Sequence, residues 1–268
     1  MTDIILPLEE SKHVKELLNI LKANGMGEDA KGLIEVIGCV SSMERDLGKA
    51  LSELTTMQLE LSSMREEQNH PIKTMLHKAA EGLMARLKAI QKQLVALKDK
   101  IIGTCKEAVE NIKDKGITAA NDVVSFLNIK DDLQDARDSI NNAISFNERK
   151  IANIEAASTE FHTTGRSIKN FSRALVGKNT IPDIKPNGKL AKLIQLPFNS
   201  EIKHLKRSLA HTNKALELID KLEKSAELRS ERERPSIHAD MKRIGEEIRN
   251  IKPDTPKLDK NKASDQSL

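Results

Sequence analysis

The chain has 268 residues, of which 31% are charged and only 2% are aromatic, with no Trp and no Tyr. This length fits one large domain or two ordinary ones, and a composition rich in Ala, Leu, Ile, Lys and Glu favours helices over sheets. No window approaches the ~18 uninterrupted apolar residues of a transmembrane helix. The N-terminal residues lack the basic region of a signal peptide, so we expect a cytoplasmic protein without integral membrane segments.

The net charge of +4 is distributed unevenly along the chain. Residues 1–70 carry 7 basic and 13 acidic groups, whereas residues 163–214 carry 11 basic and 2 acidic groups. Such asymmetry bears on partners and self-association rather than on fold. Three roles are open for the basic segment: pairing with the acidic N-terminal helices, binding nucleic acid, or contact with an anionic membrane surface.

A short amphipathic helix is predicted over residues 8–23, and Asn24-Gly25 should end it because glycine accepts the left-handed conformation at a helix end. Apolar residues then recur at heptad a and d positions over five heptads, which predicts a helix from about residue 28 to 68 packed along other helices. The predicted helix-packing seam consists of Leu33, Val36, Val40, Met43, Leu47, Leu54, Met57, Leu61 and Met64.

Two further long helices are predicted from similar patterns. Pro71 fits the first turn of the next helix, and the short link before it predicts an antiparallel hairpin with the preceding helix. The following long helix, from about Asp131 to Val176, has a seam in which Asn147 is the one polar member. Such an Asn either fixes the register of the packed helices or occupies a frayed position.

The predicted fold is all-α, an elongated antiparallel helical bundle or a set of coiled-coil-like hairpins, with a disordered C-terminal tail. Turn-forming Pro and Gly residues mark the main linker. The predicted segments are residues 1–70, residues 71–176 with a break near 116–130, a Pro/Gly linker at 177–199, C-terminal helices at 200–251, and the tail at 252–268.

Patterns typical of catalysis or cofactor binding are not found. The Gly177–Thr180 stretch lacks the glycine five residues before its Gly-Lys pair that a phosphate loop needs, so we interpret it as a joint between helices. His70 and His77, like His204 and His211, are separated by ~11 Å along a helix, too far to share one zinc ion. The two cysteines form no metal or redox motif and are interpreted as buried thiols. We expect no enzymatic activity, cofactor, bound metal or small-molecule substrate.

The basic segment is the predicted functional feature. If the helices on either side of the linker fold back on each other, their basic groups gather at one end of the bundle. Such a cluster binds nucleic acid in a salt-dependent, sequence-independent way, or contacts an anionic membrane surface. The candidate polyanion-binding residues are Arg166, Lys169, Arg173, Lys178, Lys203, Lys206 and Arg207.

Two stretches of the sequence resemble an uncharacterised all-helical family associated with mobile genetic elements of gut Firmicutes. They are LLNILKANGMGEDAKGLIEVIGCVSSMERDL, residues 17–47, and IKNFSRALVGK, residues 168–178. The resemblance extends over most of the chain except the tail. It implies a bacterial accessory gene and a non-enzymatic role, and it brings no known activity, substrate or site residues.

The sequence therefore predicts a cytoplasmic, non-enzymatic helical scaffold or interaction protein that binds itself or another protein through apolar helix seams. Accessory nucleic-acid binding by residues 166–207 is the second hypothesis, and peripheral membrane association is the third. The sequence leaves open whether the seams close within one chain or between chains, which decides what apolar surface is free for a partner.

Overall fold

A computed structural model describes residues 7–63, 70–116, 129–175 and 189–233. Every regular element in these residues is a helix, which confirms the predicted all-α fold. The chain divides into a compact unit of residues 1–226 and a second unit of residues 227–268, and the packing described below belongs to the first. A 3-10 turn at Leu8–Glu10 precedes the α-helices, which are α1 (Lys12–Ala23), α2 (Gly27–Ser63), α3 (His70–Lys115), α4 (Lys130–Leu175) and α5 (Lys189–Glu233).

Several predicted features lie outside the described residues. These are most of the break near residues 116–130, the Gly177–Thr180 joint, residues 234–251 of the predicted C-terminal helices and the tail at 252–268.

The predicted end of α1 is confirmed. Gly25 has a φ of 77°, its N–H donates to the Lys22 carbonyl, and the Met26 N–H donates to the Leu21 carbonyl. This hydrogen-bond pair is the Schellman arrangement that satisfies the last carbonyls of a helix, and its left-handed residue favours glycine. The sharp turn lets α2 begin two residues later and lie beside α1.

The helices α2 and α3 form the predicted antiparallel hairpin. Lys98 of α3 pairs with Glu44 of α2, whereas Thr55, farther along α2, lies against Met84, nearer the start of α3. Because α3 begins at His70, Pro71 occupies its first turn, where the missing N–H costs no helical hydrogen bond.

The last long helix, α5, packs against the first long helix, α2. Helix α4 runs antiparallel to α3, and α5 lies antiparallel to both α4 and α2, so that the four long helices form a ring. Contacts along α2 and α5 fix this direction: Gly32 with Leu222, Met43 with Thr212, and Glu53 with His204. Contacts along α4 and α5 do the same: Lys130 with Glu223, Glu148 with Lys206, and Ile151 with Gln195.

The predicted seam of α2 is packed inside this ring. Its members from Leu33 to Leu54 are buried, as is Leu61, while Met57 is half-buried and Met64 lies outside the described residues. Their neighbours in the core come from α1, α3, α4 and α5 of the same chain. The seam therefore closes within one chain.

The predicted linker at 177–199 is too long at its C-terminal side. Helix α5 begins at Lys189 and contains Pro197, whereas the sequence placed the helix start at residue 200. The reason lies in packing: Ala191, Gln195 and Phe198 are buried on the stripe that continues into Leu205. A proline removes one helical hydrogen bond, and here burial of the apolar stripe outweighs that loss.

Candidate interaction surface and buried polar centre

Exposed apolar side chains concentrate at one end of the bundle. Seven large apolar side chains are exposed among the described residues. Five of these lie where α2 and α4 end and where α3 and α5 begin. We call this set the apolar end; it consists of Leu59, Met75, Phe171, Leu193 and Leu196.

Helix α4 contributes to the apolar end by continuing past its packed portion. Gln195, six residues into α5, contacts Glu155 of α4, and α4 runs on for 20 residues to Leu175, or about 30 Å. Among the α4 side chains that the structure describes, none beyond Asn147 is fully buried. Phe171 lies on this extension and is 68% exposed.

The candidate polyanion-binding residues fall into two separate groups. Lys203, Lys206 and Arg207 are exposed on α5, and the Lys206 Nζ lies 3.0 Å from the Glu148 carboxylate. Arg166 lies 18 residues beyond Glu148 on α4, about 27 Å along the helix. The expectation that all of these groups gather at one end is therefore wrong for the α5 residues.

The remaining candidates belong to the α4 extension or to the region after it. Arg166 and Arg173 are half-buried, and both make contacts within the chain. The side chain of Lys169 and all of Lys178 lie outside the described residues.

Carboxylates of the acidic α2 lie against α5. Glu53 accepts a hydrogen bond from Ser200 and lies 3.0 Å from the Nε2 atom of His204. Two turns away, His211 Nε2 lies 3.6 Å from Asp46. The Ser200 hydroxyl, with His204 contributing, holds the pKa of Glu53 below its usual value. Some acidic groups of the N-terminal segment thus contact polar groups of α5 within the chain. His204 and His211 each lie beside a different carboxylate.

A group of polar side chains is buried at the centre of the ring. Asn147 of α4 and Glu201 and Ser208 of α5 are each at most 1% exposed. Their side-chain polar atoms, and the Nη1 atom of Arg86 on α3, have no hydrogen-bond partner among the residues that the structure describes. Buried polar groups in this condition are costly and are uncommon in folded proteins.

Burial raises the pKa of the Glu201 carboxyl to about 7. The nearby Asn147 amide and Arg86 guanidinium oppose this rise, although Asn147 does not reach hydrogen-bond geometry with the carboxyl. Asn147 is fully buried, so the interpretation as a frayed seam position is wrong. A role in fixing the register stays a prediction.

A model of a family of unknown function, DUF6674, matches residues 10–264. The chain belongs to this family. Comparisons of this DUF6674 member with curated proteins and with solved structures gave no match.

Two further observations concern the described portion of this DUF6674 member. Residues 7–63, 70–116, 129–175 and 189–233 contain no group of three or more His, Cys, Asp or Glu side chains placed to hold a metal ion. Among the helices of the same ranges, none combines the length and apolar character needed to cross a bilayer.

The sequence reasoning missed both the apolar end and the buried carboxyl. Glu201 carried a usable signal, because it stands three residues after Phe198 and four before Leu205 on a buried stripe, where a charged residue is unusual. Leu59 and Leu196 carried none, since only the end of the ring determines which apolar positions lack a neighbour.

Proposed function

We propose that this protein is a non-enzymatic helical interaction protein that binds an acidic, amphipathic segment of another protein at its apolar end. The single observation that carries the proposal is that five of the seven exposed large apolar side chains in the described residues lie toward that end. Four belong to the neighbouring ends of α2, α3 and α5, and Phe171 lies about 24 Å farther along α4. Scattered apolar residues are normal on a protein surface, whereas a cluster marks an interaction site.

The chemistry of the surrounding residues favours an acidic partner. Residues 163–196, which include the extension of α4 and the beginning of α5, carry 7 basic groups and 1 acidic group. A second copy of the chain would bring the same excess of positive charge to the contact, which opposes self-association there. The α2 seam, which the sequence predicted as the partner surface, is buried within the chain. The proposed partner surface is therefore the apolar end instead of the seam.

Site-specific photocrosslinking in the cells that produce the protein tests this proposal. A photoreactive amino acid at Phe171 or Leu196 is expected to capture the same partner segment, and that segment should be acidic and amphipathic. The same group at Lys92, exposed in the middle of α3, is the matched control and should not capture it. Capture of a basic segment, or of a second copy of this chain, would contradict the proposed partner.

A peptide with the captured sequence then allows a quantitative measurement. Phe171→Asp should abolish binding in fluorescence anisotropy, because it removes the exposed ring and places negative charge opposite an acidic peptide. Asn153→Asp introduces the same charge at an exposed position nearer the middle of α4 and should leave the affinity unchanged. Equal affinity for Phe171→Asp and wild type would refute the assignment of this surface.

We also propose that a bacterial accessory gene, carried on a mobile element, encodes this protein. The support is the resemblance of residues 17–47 and 168–178 to the family described above. Genomic neighbourhood tests it: family members beside conjugation or mobilisation genes are expected, and family members confined to conserved housekeeping operons would contradict it.

A nucleic-acid-binding role is a second candidate, favoured by the exposed basic cluster within two turns of α5. The triple variant Lys203→Glu, Lys206→Glu, Arg207→Glu should weaken binding to a short DNA duplex and flatten its salt dependence, because each lost phosphate contact lowers the slope. A matched reversal of exposed lysines on α3 should have a smaller effect; its positions are Lys88, Lys92 and Lys106. Equal effects of the two triple variants would reject this role.

Peripheral membrane association is distinguished with the same proteins. It predicts co-sedimentation with anionic but not neutral liposomes, lost in the α5 triple variant. Absence of the wild-type protein from both pellets would reject it.

A further inference from the structure

A groove between α3 and α4 has a positively charged lining that the interaction proposal does not use. Its volume is about 430 Å³, within the usual range of small-ligand sites. Arg86 lines it from α3, and Phe146 and Arg149 line it from α4. The polar part of the wall is formed by Gln93, Ser139 and Asn142.

The two guanidinium groups are placed together without a counter-charge at the surface. Arg149 is exposed and donates its Nε–H to the Ser145 carbonyl within its own helix. Neither Arg149 nor Arg86 has a carboxylate within ion-pair distance among the described residues. Burial lowers the pKa of Arg86, the buried Glu201 carboxylate opposes this, and the positive charge of Arg149 adds to it. Like charges held together in this way favour an anion between them.

Arg86 is held in place by packing rather than by hydrogen bonds. Its guanidinium carbon lies 3.1 Å from the centroid of the Phe146 ring, and Lys150 Nζ lies 5.2 Å from the same ring. The Arg86 Nη1 atom is buried and has no hydrogen-bond partner in the described part of the chain. A planar guanidinium fixed against a ring presents its remaining N–H groups in a set direction, as bidentate recognition of an oxyanion requires.

We propose that the groove between α3 and α4 is a binding site for a small organic phosphate, held by Arg86 and Arg149. The phosphate oxygens accept hydrogen bonds from the two guanidinium groups. The amide and hydroxyl groups of Gln93, Ser139 and Asn142 contact the polar body of the ligand. This site shares no residue with the apolar end, and its existence is independent of the proposed partner.

Nuclear magnetic resonance of the arginine Nε–H groups tests the site directly, with ribose 5-phosphate as the probe and ribose as the uncharged control. Ribose 5-phosphate is expected to shift the Arg86 and Arg149 signals along one saturable curve. Arg137, a half-buried arginine of α4 that pairs with Asp138, should not move in the same range. Ribose should move none of these signals.

The variant Arg149→Gln provides the quantitative test, because this side chain is exposed and its replacement leaves the packing of Arg86 intact. The affinity for ribose 5-phosphate should fall about tenfold, as expected for the loss of a charge-assisted hydrogen bond. The matched variant Arg137→Gln should bind as wild type does. Unsaturable shifts, equal movement of Arg137, or an unchanged affinity in Arg149→Gln would each overturn the proposal.

Discussion

Replacing Glu201 by Gln tests the buried polar centre through the pH dependence of stability. Burial raises the pKa of Glu201 from its ordinary value of 4.5 to about 7. Between these values the folded protein holds a proton that the unfolded chain releases, so the free energy of unfolding falls as the pH rises. Each pH unit in this interval costs about 1.4 kcal/mol, and the whole interval costs about 3 kcal/mol.

The glutamine variant keeps the shape of the protonated side chain and cannot ionise. It should therefore match wild type near pH 4, exceed it by about 1 kcal/mol at pH 5, and exceed it by about 3 kcal/mol at pH 8. Urea unfolding followed by far-UV circular dichroism at several pH values measures this difference. Taking the difference between variant and wild type cancels the titration of groups common to both.

The control is Glu160→Gln, which removes an exposed carboxyl of α4 and should leave the pH profile unchanged. A difference between Glu201→Gln and wild type that stays constant from pH 5 to pH 8 would refute the reasoning. So would a variant that is less stable than wild type at pH 8, because it would mean that the ionised carboxyl is favourably paired in the folded state.

Three other substitutions or measurements test the packing. Gly32→Ala should lower the free energy of unfolding by about 1 kcal/mol, because its Cβ would lie 2.7 Å from a side chain of α5. Gly38→Ala has open space around the new Cβ and should raise the free energy of unfolding by up to about 1 kcal/mol. Equal effects of the two substitutions in urea unfolding would contradict this. Glu44→Gln should lower the free energy of unfolding by about 2–3 kcal/mol, because it leaves the buried Lys98 ammonium without its carboxylate. Lys98→Met should lower it by less, and a larger loss for Lys98→Met would be inconsistent with a buried charge. Burial raises the pKa of Cys105 to about 12. Mass spectrometry after thiol alkylation at pH 8 should therefore find Cys105 unmodified until the protein unfolds. Alkylation of Cys105 at the rate of a free thiol would contradict its burial.

Much of the helical packing could be predicted because heptad spacing alone determines which residues share a helix face. The positions from Leu33 to Leu54 on α2 are buried as predicted, and Gly25 ends α1 as its conformational freedom requires. The antiparallel pairing of α2 and α3 also followed from the sequence, since the link between them is too short for another direction.

The parts that could not be predicted depend on contacts between distant segments. The early start of α5 at Lys189 was missed because Pro197 argues locally for a break, whereas burial of Phe198 decides in favour of a helix. Arg86 and Arg149 stand 63 residues apart and carry no motif. They share a groove because of the register between α3 and α4, which heptad spacing alone does not set.

The contact of α5 with α2 bears on how the protein is made. The pairs that join these helices are far apart in the chain, 151 residues for Glu53 and His204 and 169 residues for Met43 and Thr212. During translation the apolar residues of α2 stay partly exposed until the ribosome has released α5 to about residue 226. In this interval a nascent chain with exposed apolar surface is prone to aggregate. A messenger truncated before the codon for residue 189 would yield a product without α5, in which the apolar face of α2 stays exposed to water. Such a product would be a substrate for chaperones and proteases.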